Sequence, residues 1–136
     1  MSEATSIALY RHPVLRTGLM AVGALFLYGG WALFANMGHG WTAAWVAAGT
    51  QGGISFVTTL VLTGFMEWVS RRADRLWLKF ALPFTSATSV AAIATISIHM
   101  VMGTPALWAT VAAPLLIGTI YSAIYAANLV REAAAA

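Results

Sequence analysis

Cysteine is absent from the 136 residues, which excludes disulfides, thiolate metal sites, iron–sulfur ligation and thiol catalysis and leaves the redox compartment open. Charge is nearly as scarce. Asp, Glu, Lys and Arg make up 8% of the chain, whereas a soluble globular domain carries about 25%. Four acids and three histidines are the whole stock for metal binding and acid–base chemistry. No HExxH, phosphate-binding loop or nucleophile elbow occurs, and no two acids are spaced for acid–base work. No carboxylate falls at the middle of an apolar run, so a carboxylate-based proton pump lacks its carrier. These absences point away from catalysis, and the chain is expected to be non-enzymatic. The net charge of +3 could serve nucleic acid, but the basic residues flank apolar segments instead of gathering on a soluble module. Membrane lipids, not nucleic acid, are the expected partners.

What fills the chain instead is hydrophobic residues, at 60%. The apolar runs are about 17–36, 42–69, 82–102 and 106–130, and each reaches the roughly 20 residues that a membrane-spanning helix needs. The expected fold class is an all-α integral membrane protein, with four transmembrane helices in two antiparallel hairpins forming one domain over 17–130. Residues 1–16 read as a polar N-terminal segment with Pro13 as a helix start, and 131–136 as a short tail. The first run is too long for the apolar part of a cleaved signal peptide and reads as a span. Between the second and third runs lies a basic segment, 70–81, in which Ala73, Leu76, Trp77 and Phe80 alternate at helical spacing with Arg72, Asp74, Arg75 and Lys79. That pattern fits either a short helix lying in the interface or the first turns of the third span. Pro83 fits the first turn of a span starting near Leu82, and Pro114 is expected to bend the fourth.

The basic residues decide the orientation. Arg11, Arg16, Arg71, Arg72, Arg75, Lys79 and Arg131 all flank the same ends of the spans, and the two opposite connections carry none. By the positive-inside rule both termini are cytoplasmic, N-in/C-in, in the cell inner membrane. A faint repeat relates Met37-Gly38 to Met102-Gly103, each between two spans.

The second span is the most polar. Helical spacing places Gln51, Ser55, Thr58, Thr59 and Thr63 on one face, with Gly49, Gly52 and Gly53 beside it. Two readings stand side by side. The face is a helix-packing seam in which the glycines admit a neighbouring backbone and Gln51 bonds across, or it lines a cavity for a polar headgroup, a sugar or an ion. On the fourth span Tyr121, Tyr125 and Asn128 approach the basic end, as does Glu67, the one acid at the end of a span. Together they can form a polar vestibule, although Arg71, four residues on, also offers Glu67 an ordinary surface pair. The candidate substrate-binding residues are therefore Gln51, Ser55, Thr59, Glu67, Tyr121, Tyr125 and Asn128, and the candidate lipid-headgroup residues are Arg71, Arg72 and Arg75. His39 and His99 fall near the opposite face, with Thr95 one turn from His99. Two histidines on different spans can hold a haem or a metal, but His39 stands between Gly38 and Gly40 in a loop and two ligands hold a metal weakly. No cofactor or metal is expected, and a haem or quinone protein is the minor alternative.

In size, number of spans and the aromatic-basic segment Glu67-Trp68-Val69-Ser70-Arg71-Arg72, the chain resembles the GtrA family of small membrane proteins linked to moving polyprenyl-phosphate sugars. The resemblance is architectural. The family's start pattern around the first helix is not found, so no residue is carried over. The expected function is a transport or flippase-like component for a lipid-linked or amphipathic substrate. The alternative is a non-catalytic accessory or scaffold subunit of a larger membrane complex, or a homo-oligomer.

Overall fold

The structure is a computed structural model that describes residues 13–135. Arg11, His12, Ala136 and the side chain of Arg16 lie outside the described residues. The chain is all-helical, with no strand among those residues: α1 (Pro13–Asn36), α2 (Trp41–Arg71), α3 (Leu76–Val101) and α4 (Leu107–Ala135), with a 3-10 turn at Met37–His39. All four helices are long and apolar enough to cross a membrane. A helix is the natural form for such sequence, because in lipid every backbone amide must find its partner inside its own segment.

Packing follows from side-chain size. The buried apolar residues are mostly alanines, including Ala21, Ala32, Ala44, Ala47, Ala48, Ala87 and Ala126, while Phe26, Trp108 and Val101 are 72%, 69% and 86% exposed. Lipid solvates large apolar groups as well as a protein core does, so close backbone approach, not hydrophobic burial, holds the helices together. α1 and α2 show this most clearly. Ala44, Ala48 and Gly52 recur every fourth residue on α2, and a Cβ added at Gly52 would sit 2.9 Å from the Leu25 carbonyl oxygen. One added at Gly29 would sit 3.1 Å from the Ala48 carbonyl oxygen. Gly49 and Gly53, which the helical wheel places beside Gly52, have open space where a Cβ would be. Of the three glycines on that side of α2, only Gly52 serves a close approach.

Two element boundaries differ from the sequence-based expectation. α3 begins at Leu76, not near Leu82, so the basic segment is no separate interfacial helix beyond the short break after Arg71. Residues 76–81 are the first turns of α3, the second of the two readings above. Pro83 therefore sits inside α3 and is buried, where it leaves the carbonyl of Lys79 without its usual amide donor. The cause is the helical spacing of Leu76, Trp77 and Phe80, which continues without interruption into the apolar span. α4 runs on to Ala135, well past Val130, because nothing in Arg131-Glu132 and the alanines breaks a helix. Pro114 lies within α4 and is buried.

The two connections at one end of the bundle (the turn end) lie together, because the Ala106 amide donates to Asn36 Oδ1 at 3.0 Å. They are not copies of each other. Positive φ occurs at Gly40 (95°) and Gly103 (65°), whereas the apparent repeat aligns Gly103 with Gly38. α3 closes with a Schellman cap, in which the Thr104 amide donates to the His99 carbonyl at 3.0 Å and the Gly103 amide to the Met100 carbonyl at 3.1 Å. At the other end (the charged end), Lys79 Nζ donates to the carbonyl of Ser70 at 3.2 Å, a cation on the last turn of α2.

Candidate functional site

Gln51 is buried, and its partner is a residue 48 positions away. His99 Nε2 lies 2.8 Å from Gln51 Oε1, while Gln51 Nε2 donates to Ser55 Oγ at 3.0 Å. With the carboxamide nitrogen committed to Ser55, its oxygen is the acceptor, which assigns the proton on that side of the ring to His99 Nε2. The second ring nitrogen, Nδ1, lies 2.7 Å from Thr104 Oγ1. The Schellman cap is what folds Thr104 back over the ring of His99. Both nitrogens of the buried His99 are thus engaged by protein, and His39 is exposed; these two histidines do not form a pair of free ligands. Among the described residues no group of three or more His, Asp and Glu could hold a metal ion.

A second clasp at the turn end joins α1 to α4. Asn36 Nδ2 donates to Thr110 Oγ1 at 2.7 Å and to the Ala32 carbonyl at 2.9 Å, its oxygen receives the Ala106 amide, and Trp31 Nε1 donates to the Ala109 carbonyl at 2.9 Å. Asn36, the last residue of α1, is fully buried.

Below these clasps the four helices enclose a cavity of about 360 Å³. Its wall takes Tyr28 from α1, Gln51, Ser55, Thr58, Thr59 and Thr63 from α2, Thr88 and Thr95 from α3, and Gly118, Tyr121 and Ser122 from α4. Most hydroxyls on α2 are satisfied within their own helix, since Thr58, Thr59 and Thr63 donate to the carbonyls of Ile54, Ser55 and Thr59. Thr88 differs: its Oγ1 is buried without a hydrogen-bond partner. Met20 of α1 and Ile117 and Tyr121 of α4 line the cavity and are also 51%, 45% and 45% exposed. The cavity therefore opens sideways between α1 and α4, which are hydrogen-bonded to each other at the turn end.

Toward the charged end the cavity is closed by Met66, Ala87 and Ala126, with Leu62, Phe80, Phe84, Tyr125 and Leu129 packed around them. Beyond that plug lies a polar vestibule of about 580 Å³, lined by Glu67, Ser70, Arg71, Lys79, Tyr125, Asn128 and Glu132 among others. Tyr125 Oη donates to Glu67 Oε1 at 2.7 Å, and Arg71 stands 3.6 Å from Glu67 Oε2. Arg72 lies outside this lining, with its guanidinium 3.6 Å above the Trp68 ring, as does Arg75, exposed at the start of α3. The residues singled out from the sequence thus divide into two groups. Gln51, Ser55, Thr59 and Tyr121 line the central cavity, whereas Glu67, Arg71, Tyr125 and Asn128 line the vestibule. The two readings of the α2 polar face also divide along the helix, with Gln51 bonded across to α3 and the hydroxyls below it facing open space.

Sequence reasoning named His99 without its partner Gln51, and it missed the burial of Asn36 and the place of Thr88 on the cavity wall. A usable signal for His99 and Asn36 was their polarity alone, since an imidazole or amide in hydrocarbon requires a partner. Thr88 carried no such signal. No protein-family model matches this chain, and no match is found among curated proteins or solved structures. The architectural resemblance to the GtrA family has no family match behind it.

Proposed function

We propose that the protein is a small multi-pass component of the cell inner membrane that receives a lipid-like, amphipathic molecule from the bilayer and carries it toward the cytoplasmic face. In this reading the spans form two antiparallel hairpins and both termini, with all seven basic residues, are cytoplasmic, as charge asymmetry favours. The observation that carries the reading is the central cavity with its sideways opening. Its volume of about 360 Å³ falls in the range of about 300–1,000 Å³ usual for small-molecule pockets, and an opening into the hydrocarbon layer admits a ligand that is itself dissolved in lipid. The apolar wall suits an alkyl chain, and the hydroxyls and Tyr121 suit a polar group at its end. The vestibule supports the same reading, because Arg71 and Lys79 beside Glu67 and Glu132 form a mixed-charge mouth for a phosphate-bearing headgroup.

Gly118 provides the test. It lines the cavity, and a Cβ there meets nothing within 4 Å, so Gly118→Phe fills the space without disturbing the helix contacts. Native mass spectrometry of the wild-type protein should show a co-purifying lipid or polyprenyl phosphate, and Gly118→Phe should lose it while keeping its thermal stability. Wild-type protein without bound lipid, co-purifying in fixed proportion with a larger membrane protein, would instead make the chain an accessory subunit.

A further inference from the structure

We propose that His99 is a proton-binding site within the span, supplied from the turn end through Thr104 and coupled to the central cavity through Gln51. The inference rests on the cavity reading only for the coupling; the proton site stands on its own geometry.

The surroundings single out His99. No Asp, Glu, Lys or Arg occurs between Thr17 and Met66 or between Phe80 and Val130. The charged groups of α2, α3 and α4 (Glu67 and Arg71, Lys79, and Arg131 and Glu132) all lie at the charged end. Within the two charge-free stretches the other titratable groups are Tyr28 of α1, His39 of the turn, and Tyr121 and Tyr125 of α4. Imidazole is the group among these that gains a proton at ordinary pH. His99 also stands in the last turn of α3, where the carbonyl end of the helix dipole favours a cation.

The hydrogen bonds give the proton a route and an end point. Thr104 is half-buried between the exposed Gly103 and Pro105, so its hydroxyl can meet water at the turn end. In the neutral ring, Nδ1 accepts from Thr104 Oγ1 and Nε2–H donates to Gln51 Oε1. When a proton arrives, the Thr104 hydrogen passes to Nδ1 and the hydroxyl oxygen takes the incoming proton from water. Thr104 then accepts from Nδ1–H, no atom is left short of a bond, and the ring carries the charge. The Nε2–H bond to Gln51 exists in both states, and a carboxamide passes on no proton, so the proton stops at His99. What reaches the cavity is the positive charge, one carboxamide away from Ser55 on its wall. An anionic ligand in the cavity is bound more tightly when His99 is charged, and by reciprocity raises its hold on the proton.

The test uses the intact protein in phospholipid nanodiscs. Histidine ¹⁵N spectra are recorded across about pH 5 to 8, where imidazole titrates, with the exposed His39 as internal reference and His99→Asn for assignment. His99 is expected to pass from the Nε2–H tautomer to the doubly protonated ring. A ring that keeps the shifts of one neutral tautomer throughout would overturn the proton site and leave His99 a structural clasp. Coupling is read with an alkyl sulfonate bearing a fluorescent tail, a probe whose own charge does not change in this range. Its affinity should rise roughly tenfold on the acid side in wild type and stay level in His99→Asn. Identical pH profiles for the two proteins would overturn the coupling. A probe that binds at no pH would count against the cavity reading and the coupling together, while the ¹⁵N titration by itself decides the proton site.

Discussion

Removing Gln51 tests whether the contact between α2 and α3 is a bond that the bundle depends on. Leucine at position 51 keeps the bulk but leaves the buried His99 Nε2–H without the acceptor that lies 2.8 Å away. Ser55 loses the donor at 3.0 Å as well, but a serine can turn its own hydroxyl back to the carbonyl one turn earlier, so that loss is recoverable. The orphaned N–H costs about 1–3 kcal/mol, and the mean of about 0.6 kcal/mol measured for hydrogen bonds between membrane helices sets the lower bound. Gln51→Leu is therefore expected to destabilise the protein by about 2 kcal/mol. His99→Leu should cost a similar amount, since it strands Gln51 Oε1, while Thr104 is half-buried and can find water. The double variant removes both members, and two apolar groups in place of a bonded pair are nearly neutral. A double-mutant cycle should thus return a coupling that approaches the sum of the two single effects, about 4 kcal/mol in magnitude, read by reversible unfolding in bicelles with steric trapping. Additive single effects, or a Gln51→Leu variant as stable as wild type, would refute the argument.

Gly52→Ala places a Cβ 2.9 Å from the Leu25 carbonyl oxygen, and parting two helices to admit it should cost about 1–3 kcal/mol. Gly49→Ala, with open space at the same Cβ position, should be neutral or stabilising by up to about 1 kcal/mol; thermal unfolding of the two variants side by side checks the contrast. Asn36→Ala strands the Ala106 amide and takes a partner from Thr110, with an expected cost of about 2–3 kcal/mol. Its local signature would be faster hydrogen exchange at the Ala106 amide, without a change at the Tyr125–Glu67 pair.

The three polar contacts between helices differ in how well the sequence announces them. Glu67 and Tyr125 sit near the ends of apolar runs, where a carboxylate and a phenol attract notice, and they do meet at 2.7 Å. Gln51 also stands out, but its partner does not follow from counting residues. Gln51 lies about 15 Å along α2 from the turn, whereas His99 is within one turn of the end of α3. In a helix side chains lean toward the N-terminus, which sends Gln51 toward the turn end and His99 away from it. That lean, together with the way the helices slide past one another, closes a gap that residue counting leaves open. Asn36 was hidden for a related reason. Its position next to a loop resembles that of any interfacial amide, and only the approach of the second connection buries it.

The membrane class and the number of spans are local properties. Each follows from the composition of about 20 consecutive residues, because a chain in lipid must satisfy its backbone within its own helix. The charge asymmetry is equally local, and it would be read the same way whatever the helices did among themselves. Rotation and sliding of one helix against the next are not local. They depend on where small residues permit close approach, as at Gly29 and Gly52, and a shift of one residue turns a helix by about 100°. That rotation decided which half of the α2 polar face bonds to His99 and which half looks into the cavity. It also left α1 and α4 joined at the turn end and open below, so the sideways opening belongs to the tertiary structure alone.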